Sequence, residues 1–110
     1  MAYDVELADR VRELLAGTAG VSERKMFGGL AFLLGGNMAI AASGQGGLLV
    51  RVDPEESDAL VAATSATTAV MQGREMTGWL RVDAEHVGTT PELARWVELG
   101  TAYAGSLPAK

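Results

Sequence analysis

The chain has 110 residues, 48% of them hydrophobic, a formal net charge of −5, one histidine and no cysteine. That length and apolar content suit one globular domain over 1–110, with a frayed tail expected at 105–110. The absent cysteines exclude a disulfide framework and thiolate chemistry, and the acidic balance argues against sequence-independent DNA binding, which depends on neutralising phosphates.

The first helix is expected to start at Asp4 as N-cap, with Leu7, Ala8, Val11, Leu14 and Leu15 recurring at helical spacing and Gly17 and Gly20 closing it. Glu23–Phe27 reads as a strand interrupted by Gly28-Gly29. Leu30–Leu34 and Met38–Ala42 then form a hairpin across Gly35-Gly36-Asn37. The loop Ser43-Gly44-Gln45-Gly46-Gly47 leads into a strand at Leu48–Val52. A second helix is expected from Asp53 as cap, with Pro54 at the first helical position and Glu56 completing a capping box. Its inward face is Leu60 and Val61, with Ala59 and Ala63, and the β-branched stretch Thr64–Thr68 ends it. Ala69–Gln72 and Gly78–Val82 read as two further strands with Gly73-Arg74 near the turn. A last helix starts at Thr90-Pro91-Glu92 and buries Leu93, Trp96, Val97 and Gly100. Antiparallel hairpins flanked by helices imply an α+β fold, with an antiparallel sheet of about five to six strands and three helices.

No apolar run approaches the ~20 residues of a membrane span. The acids in the first six residues stand where a signal peptide carries positive charge. A cytoplasmic protein without a membrane role is expected.

Catalytic signals are sparse. A hydroxyl nucleophile needs a neighbouring base held by a third group. The one histidine, His86, sits in the charged connector Asp83-Ala84-Glu85-His86-Val87, and no serine occupies a Gly-x-Ser-x-Gly elbow. Asp83, Glu85 and His86 are close in sequence, but in extended chain alternate residues point apart, so no metal ligand set is assigned. No catalytic residue, metal or cofactor is expected. The glycines of Gly28-Gly29 and Gly44-Gln45-Gly46-Gly47 offer backbone N–H groups to a phosphate. A phosphate-binding loop of the Walker type, however, needs Gly-Lys-Ser/Thr leading into a helix, whereas Gly44–Gly47 leads into a strand. Hairpin turns account for these glycines more simply. A small-ligand or nucleotide site built from Arg24, Lys25, Arg74, Gly28 and Gly29 is the alternative reading.

Strand phase carries a different message. Leu48, Val50 and Val52 share one face with Leu80 and Val82, while Leu49 and Arg51 fall opposite, as do Trp79 and Arg81. An aromatic residue beside arginines is the composition of an interface hot spot. Either a second helical layer covers this face, or Trp79, Arg81, Leu49 and Arg51 meet a protein partner or a second copy of the chain in a homodimer. Residues 23–52 hold Arg24, Lys25 and Arg51 against Glu23 alone, a mildly basic sheet that falls short of a nucleic-acid footprint. Direct nucleic-acid binding is therefore not expected.

The ordered series Lys25-Met26-Phe27-Gly28-Gly29, the apolar hairpin through Gly36 and Met38, and Leu48-Leu49-Val50-Arg51-Val52-Asp53 resembles the N-terminal domain of the TfoX/Sxy family. So do Gly73-Arg74-Glu75-Met76-Thr77-Gly78-Trp79-Leu80-Arg81-Val82, as in short actinobacterial members, and the closing Glu92-Leu93-Ala94-Arg95-Trp96. The likeness spans roughly residues 5–104. Where relatives often show consecutive tyrosines in the late strand, this chain has Gly78-Trp79-Leu80. The resemblance implies an α+β fold with an antiparallel sheet and a link to competence and transcriptional regulation. That link belongs to two-domain members, whose second, helical domain is not part of these 110 residues. It implies no catalytic residues. The resulting expectation is a non-enzymatic cytoplasmic interaction or regulatory module.

Overall fold

The computed structural model describes residues 3–26 and 28–109. Helix α1 (Val5–Leu14) starts at the expected cap, where the Asp4 carboxylate accepts from the Leu7 N–H at 3.1 Å, and it buries Leu7, Ala8 and Val11. Strands β1 (Val21–Met26), β2 (Gly29–Leu34) and β3 (Asn37–Ala42) follow as successive antiparallel hairpins. The β2–β3 turn is Gly35-Gly36, with φ of 60° and 85°. Positive φ at both centres matches the twist of the flanking strands, and glycine adopts it without strain. The expected strand end at Phe27 lies outside the described residues.

Strand β4 (Leu48–Arg51) pairs with β3, and α2 (Ser57–Ala63) then carries the chain to the hairpin of β5 (Thr67–Met71) and β6 (Arg74–Val82). Strand β6 returns between β4 and β5, so the six-stranded sheet has the order β1-β2-β3-β4-β6-β5 with every neighbouring pair antiparallel. A 3-10 turn at Ala84–His86 and helix α3 (Thr90–Ser106) complete the chain. This is the α+β architecture expected from the pattern of hairpins and helices. No helix among the described residues is long and apolar enough to cross a membrane.

Two elements differ from their sequence signatures. Helix α2 begins at Ser57, because the Asp53 carboxylate accepts from the Glu55 N–H at 2.9 Å and closes a local turn. Glu56 makes no side-chain cap, and Ala59 and Ala63 are exposed, leaving Leu60 and Val61 as the half-buried face. Strand β6 begins at Arg74, four residues before Gly78, because pairing with β5 holds the polar stretch Arg74–Thr77 extended. In α3 the cap is Thr89, whose side chain joins Glu92 in a reciprocal capping box. The expected buried stripe Leu93, Trp96, Val97 and Gly100 is present and continues to Ala104. The helix runs through Ser106, and the buried Asn37 side chain donates to the Pro108 carbonyl at 2.9 Å, so the segment expected to fray is tied to the β2–β3 turn.

All three helices lie on one side of the sheet. Their apolar residues join Leu30, Phe32, Ile40, Leu48, Val50, Leu80 and Val82 in one core. Helix α3 crosses β3 and β4 closely at Gly100, where a Cβ would stand 2.5 Å from the Ala39 carbonyl oxygen and 3.4 Å from Val50 Cγ1. The β2–β3 register shifts between Phe32 and Leu33, which leaves Ala39 as an extra residue in β3 at this crossing.

Candidate functional site

The opposite sheet face carries its own apolar cluster. Ala31, Leu33, Met38, Ala41, Leu49 and Ala69 are buried there, with Met26 and Trp79 packed against them. All of these residues belong to strands, and no helix contributes to the cluster. Alternation explains the division. Leu48 and Val50 point to the helices and Leu49 to the opposite face, while Arg51, at the end of β4, reaches both Trp79 and Tyr103 of α3.

Register brings the four residues singled out from strand phase into one block. Leu49 lies opposite Arg81, and Arg51 opposite Trp79. The Arg51 guanidinium stands over the Trp79 ring, 5.2 Å from its centroid, and 5.4 Å from that of Tyr103. A cation at that range is attracted to the ring face, so Arg51 braces the indole. Arg81 is held from another direction. Its Nη1 donates to the Ser43 hydroxyl at 3.1 Å and its Nη2 to the Gly46 carbonyl at 3.2 Å.

Beside this block the β5–β6 hairpin and the 43–47 loop enclose an open cavity of about 690 Å³. Leu49, Trp79 and Arg81 line it, as does Arg74, whereas Arg51 supports Trp79 from outside the lining. Val70 and Met76, 57% and 36% exposed, are the large apolar side chains at its open side. The other residues of the alternative ligand set lie elsewhere. Arg24 and Lys25 are exposed on the edge strand β1, and Gly29 packs against the Ala42 carbonyl. Gly28 adopts φ of 74° in the β1–β2 turn. Backbone geometry and close packing account for both glycines.

Sequence reading missed the hairpin's share of the lining: Ala69, Val70, Gln72, Glu75 and Met76. The available signal was the dipeptide Gln72-Gly73, a tight turn with φ of 53° and 77° that fixes a long β5–β6 hairpin. The connector at Asp83, Glu85 and His86 also differs from expectation. The 3-10 turn curls it, so one donor atom of each lies within 4.8 Å of the others, where an extended chain would separate them. Glu85 and His86 approach to 3.9 Å on the surface.

Charge is divided along the same lines as the fold. The strands hold Arg24, Lys25, Arg51, Arg74 and Arg81 against only Glu23 and Glu75, while the other twelve of the fourteen acids sit on helices and the turns beside them. Glu23 is engaged by the Arg12 guanidinium at 2.7 and 2.9 Å, which holds its carboxyl below the ordinary carboxylate range. No ion pair among the described residues includes Arg51, Arg74 or Arg81.

The TfoX N-terminal domain family model matches residues 13–104 of the chain. The chain belongs to this family. No curated protein and no solved structure matches it. Within this TfoX N-terminal domain, the matched range takes in all six strands, the second apolar cluster and the whole cavity lining.

Proposed function

We propose that this TfoX N-terminal domain is a non-enzymatic interaction and regulatory module that binds through the helix-free face of its sheet. The observation that carries this reading is the Arg51–Trp79 stack beside Arg81 on that face, with the exposed Val70 and Met76 next to them. The apolar cluster of that face is itself buried, so the surface offered to a partner is its rim, and tryptophan and arginine are among the residues most enriched where binding energy concentrates. The occupant is a protein partner or a second copy of the chain, and the setting is the cytoplasm. The tie to competence or transcriptional control rests on the family alone.

The test is a pair of variants, Trp79→Ala and Arg81→Glu, with folding checked by circular dichroism. Oligomeric state is read by light scattering, and capture of native partners by crosslinking. Loss of the dimer or of a crosslinked partner is expected. Folded variants that match the wild type in both measurements would refute the proposal.

The cavity beside this block favours a second reading, a small-ligand-binding domain. Its volume of about 690 Å³ falls within the ~300–1,000 Å³ of small-molecule sites. That ligand would meet the β5–β6 hairpin and Ser43 and Gln45 of the 43–47 loop, and not the Gly28-Gly29 turn.

A further inference from the structure

Three features of the cavity limit what fits it. One wall is apolar: the Trp79 indole, braced by Arg51, with the exposed Val70 and Met76 beside it over the buried Leu49 and Ala69. This wall suits a flat hydrocarbon body. The second feature is Arg81, whose two hydrogen bonds go to the neutral Ser43 hydroxyl and Gly46 carbonyl. A guanidinium has five N–H donors, so three stay without partners among the described residues, on a group already held in place. Two N–H groups in that rigid fork match the two oxygens of a carboxylate. The third feature is the charge of the lining. Arg74 and Arg81 stand against Glu75 alone, a surplus of one positive charge. No lysine and no helix N-terminus lines the cavity, so the helix-terminus cradle that commonly holds a polyphosphate is missing.

We propose that the cavity binds a compact aromatic monocarboxylate, its ring against Trp79, Val70 and Met76 and its carboxylate paired with Arg81 and Arg74. The proposal rests on the reading of the helix-free face as the binding face, and it specifies a small organic anion as the ligand recognised there. Arg81 supplies orientation, because its fork is fixed before the ligand arrives. Arg74 supplies charge. Glu75 opposes the anion and restricts the site to weakly charged ligands.

The experiment is a titration of the intact chain with naphthalene-2-carboxylate and, separately, its uncharged carboxamide, followed by 1H–15N NMR at the two indole N–H groups. The expected result is a shift of the Trp79 signal, with that of Trp96, buried in the core between α3 and the sheet, unmoved. The carboxylate should bind about tenfold or more tightly than the carboxamide, as for a hydrogen-bonded charged group. Arg81→Gln and Arg74→Gln should each weaken the carboxylate and leave the carboxamide unchanged, while Glu75→Gln should tighten the carboxylate. Arg74 makes no side-chain hydrogen bond or ion pair among the described residues, so its variant tests charge without disturbing the 43–47 loop.

An unmoved Trp79 signal up to millimolar carboxylate, equal affinity for acid and amide, or ADP binding more tightly than naphthoate would each overturn the proposal. The two readings of the face separate cleanly. If Trp79→Ala and Arg81→Glu abolish dimer or partner but naphthoate does not bind, the ligand assignment falls and the interaction face stands. If naphthoate binds as described while those variants change neither dimer nor partner, the macromolecular role falls and the ligand site stands.

Discussion

Replacing Gly100 with alanine is expected to destabilise the domain, although alanine is the better helix former. Gly100 sits within α3, where alanine would gain about 1 kcal/mol in an isolated helix. In the folded protein the new Cβ would lie 2.5 Å from the Ala39 carbonyl oxygen and 3.1 Å from its carbon. Real Cβ contacts are essentially never under 3.0 Å, so the helix and β3 must separate by at least about 0.5 Å. Both contacts are to backbone, so no rotamer change relieves them. A radial gap of ~0.5–1 Å forfeits about a quarter to a half of each dispersion contact, and Leu93, Trp96, Val97 and Ala104 share the loosened interface. Overpacking of this kind costs about 1–3 kcal/mol. Because the clash meets backbone, we take the upper part of that range, and subtracting the helix gain leaves a net loss of about 1–2 kcal/mol.

For a domain of this size that is a drop in Tm of about 4–8 °C. The assay is thermal unfolding by circular dichroism at neutral pH, with Gly105→Ala as the internal control. At Gly105, in the same helix, the added Cβ meets only the tip of the Leu34 side chain at 3.2 Å, which can turn aside. Gly105→Ala should therefore leave Tm unchanged or raise it slightly, by up to about 0.5 kcal/mol of stability. A Tm for Gly100→Ala at or above that of the wild type would refute the close-packing argument, and with it the placement of α3 on the sheet.

Thr89→Ala removes the N-cap of α3 and should cost about 1 kcal/mol by chemical denaturation, whereas an unchanged midpoint would dispose of the capping box. Acid should weaken the fold through two carboxylates. The Thr89 hydroxyl and backbone N–H hold the Glu92 carboxyl below its ordinary value of 4.5, and the Arg12 guanidinium does the same for Glu23. A carboxyl whose folded pKa is depressed contributes stability above its unfolded pKa and loses it as pH falls through the folded one. Melts between about pH 5 and pH 3 should therefore show a shallower decline for Glu23→Gln/Glu92→Gln than for the wild type, and parallel declines would count against this linkage.

Local chemistry made much of the fold legible. Gly35-Gly36 demands a two-residue turn wherever it lies, and Thr89-Thr90-Pro91-Glu92 starts a helix within a residue of the expected point, because these signals act over four or fewer residues. The second helix was misplaced for a tertiary reason. Asp53 caps only its own turn, while Ser57, buried at the true helix start, accepts from the Gly78 N–H at 3.4 Å. Gly78 itself adopts φ of 88° against Pro54 and the Val52 carbonyl. These contacts join residues more than twenty positions apart, and no local pattern encodes them.

The candidate site divides in the same way. Alternation alone put Leu49 and Arg51 on one side of their strand and Trp79 and Arg81 on one side of theirs, because strand periodicity is a property of the backbone. That the two pairs meet depends on β6 entering the sheet between β4 and β5, which long-range pairing decides. The absence of a helical layer over that face is also a tertiary outcome, since all three helices find their burial on the other side. So is the cavity, whose hairpin wall begins in Arg74–Thr77, residues with little strand preference that are held extended by β5. Sequence by itself determined the family, the strand phases and the turns. Tertiary structure decided which arginines hold an aromatic ring, which line a cavity, and which stay on an open edge.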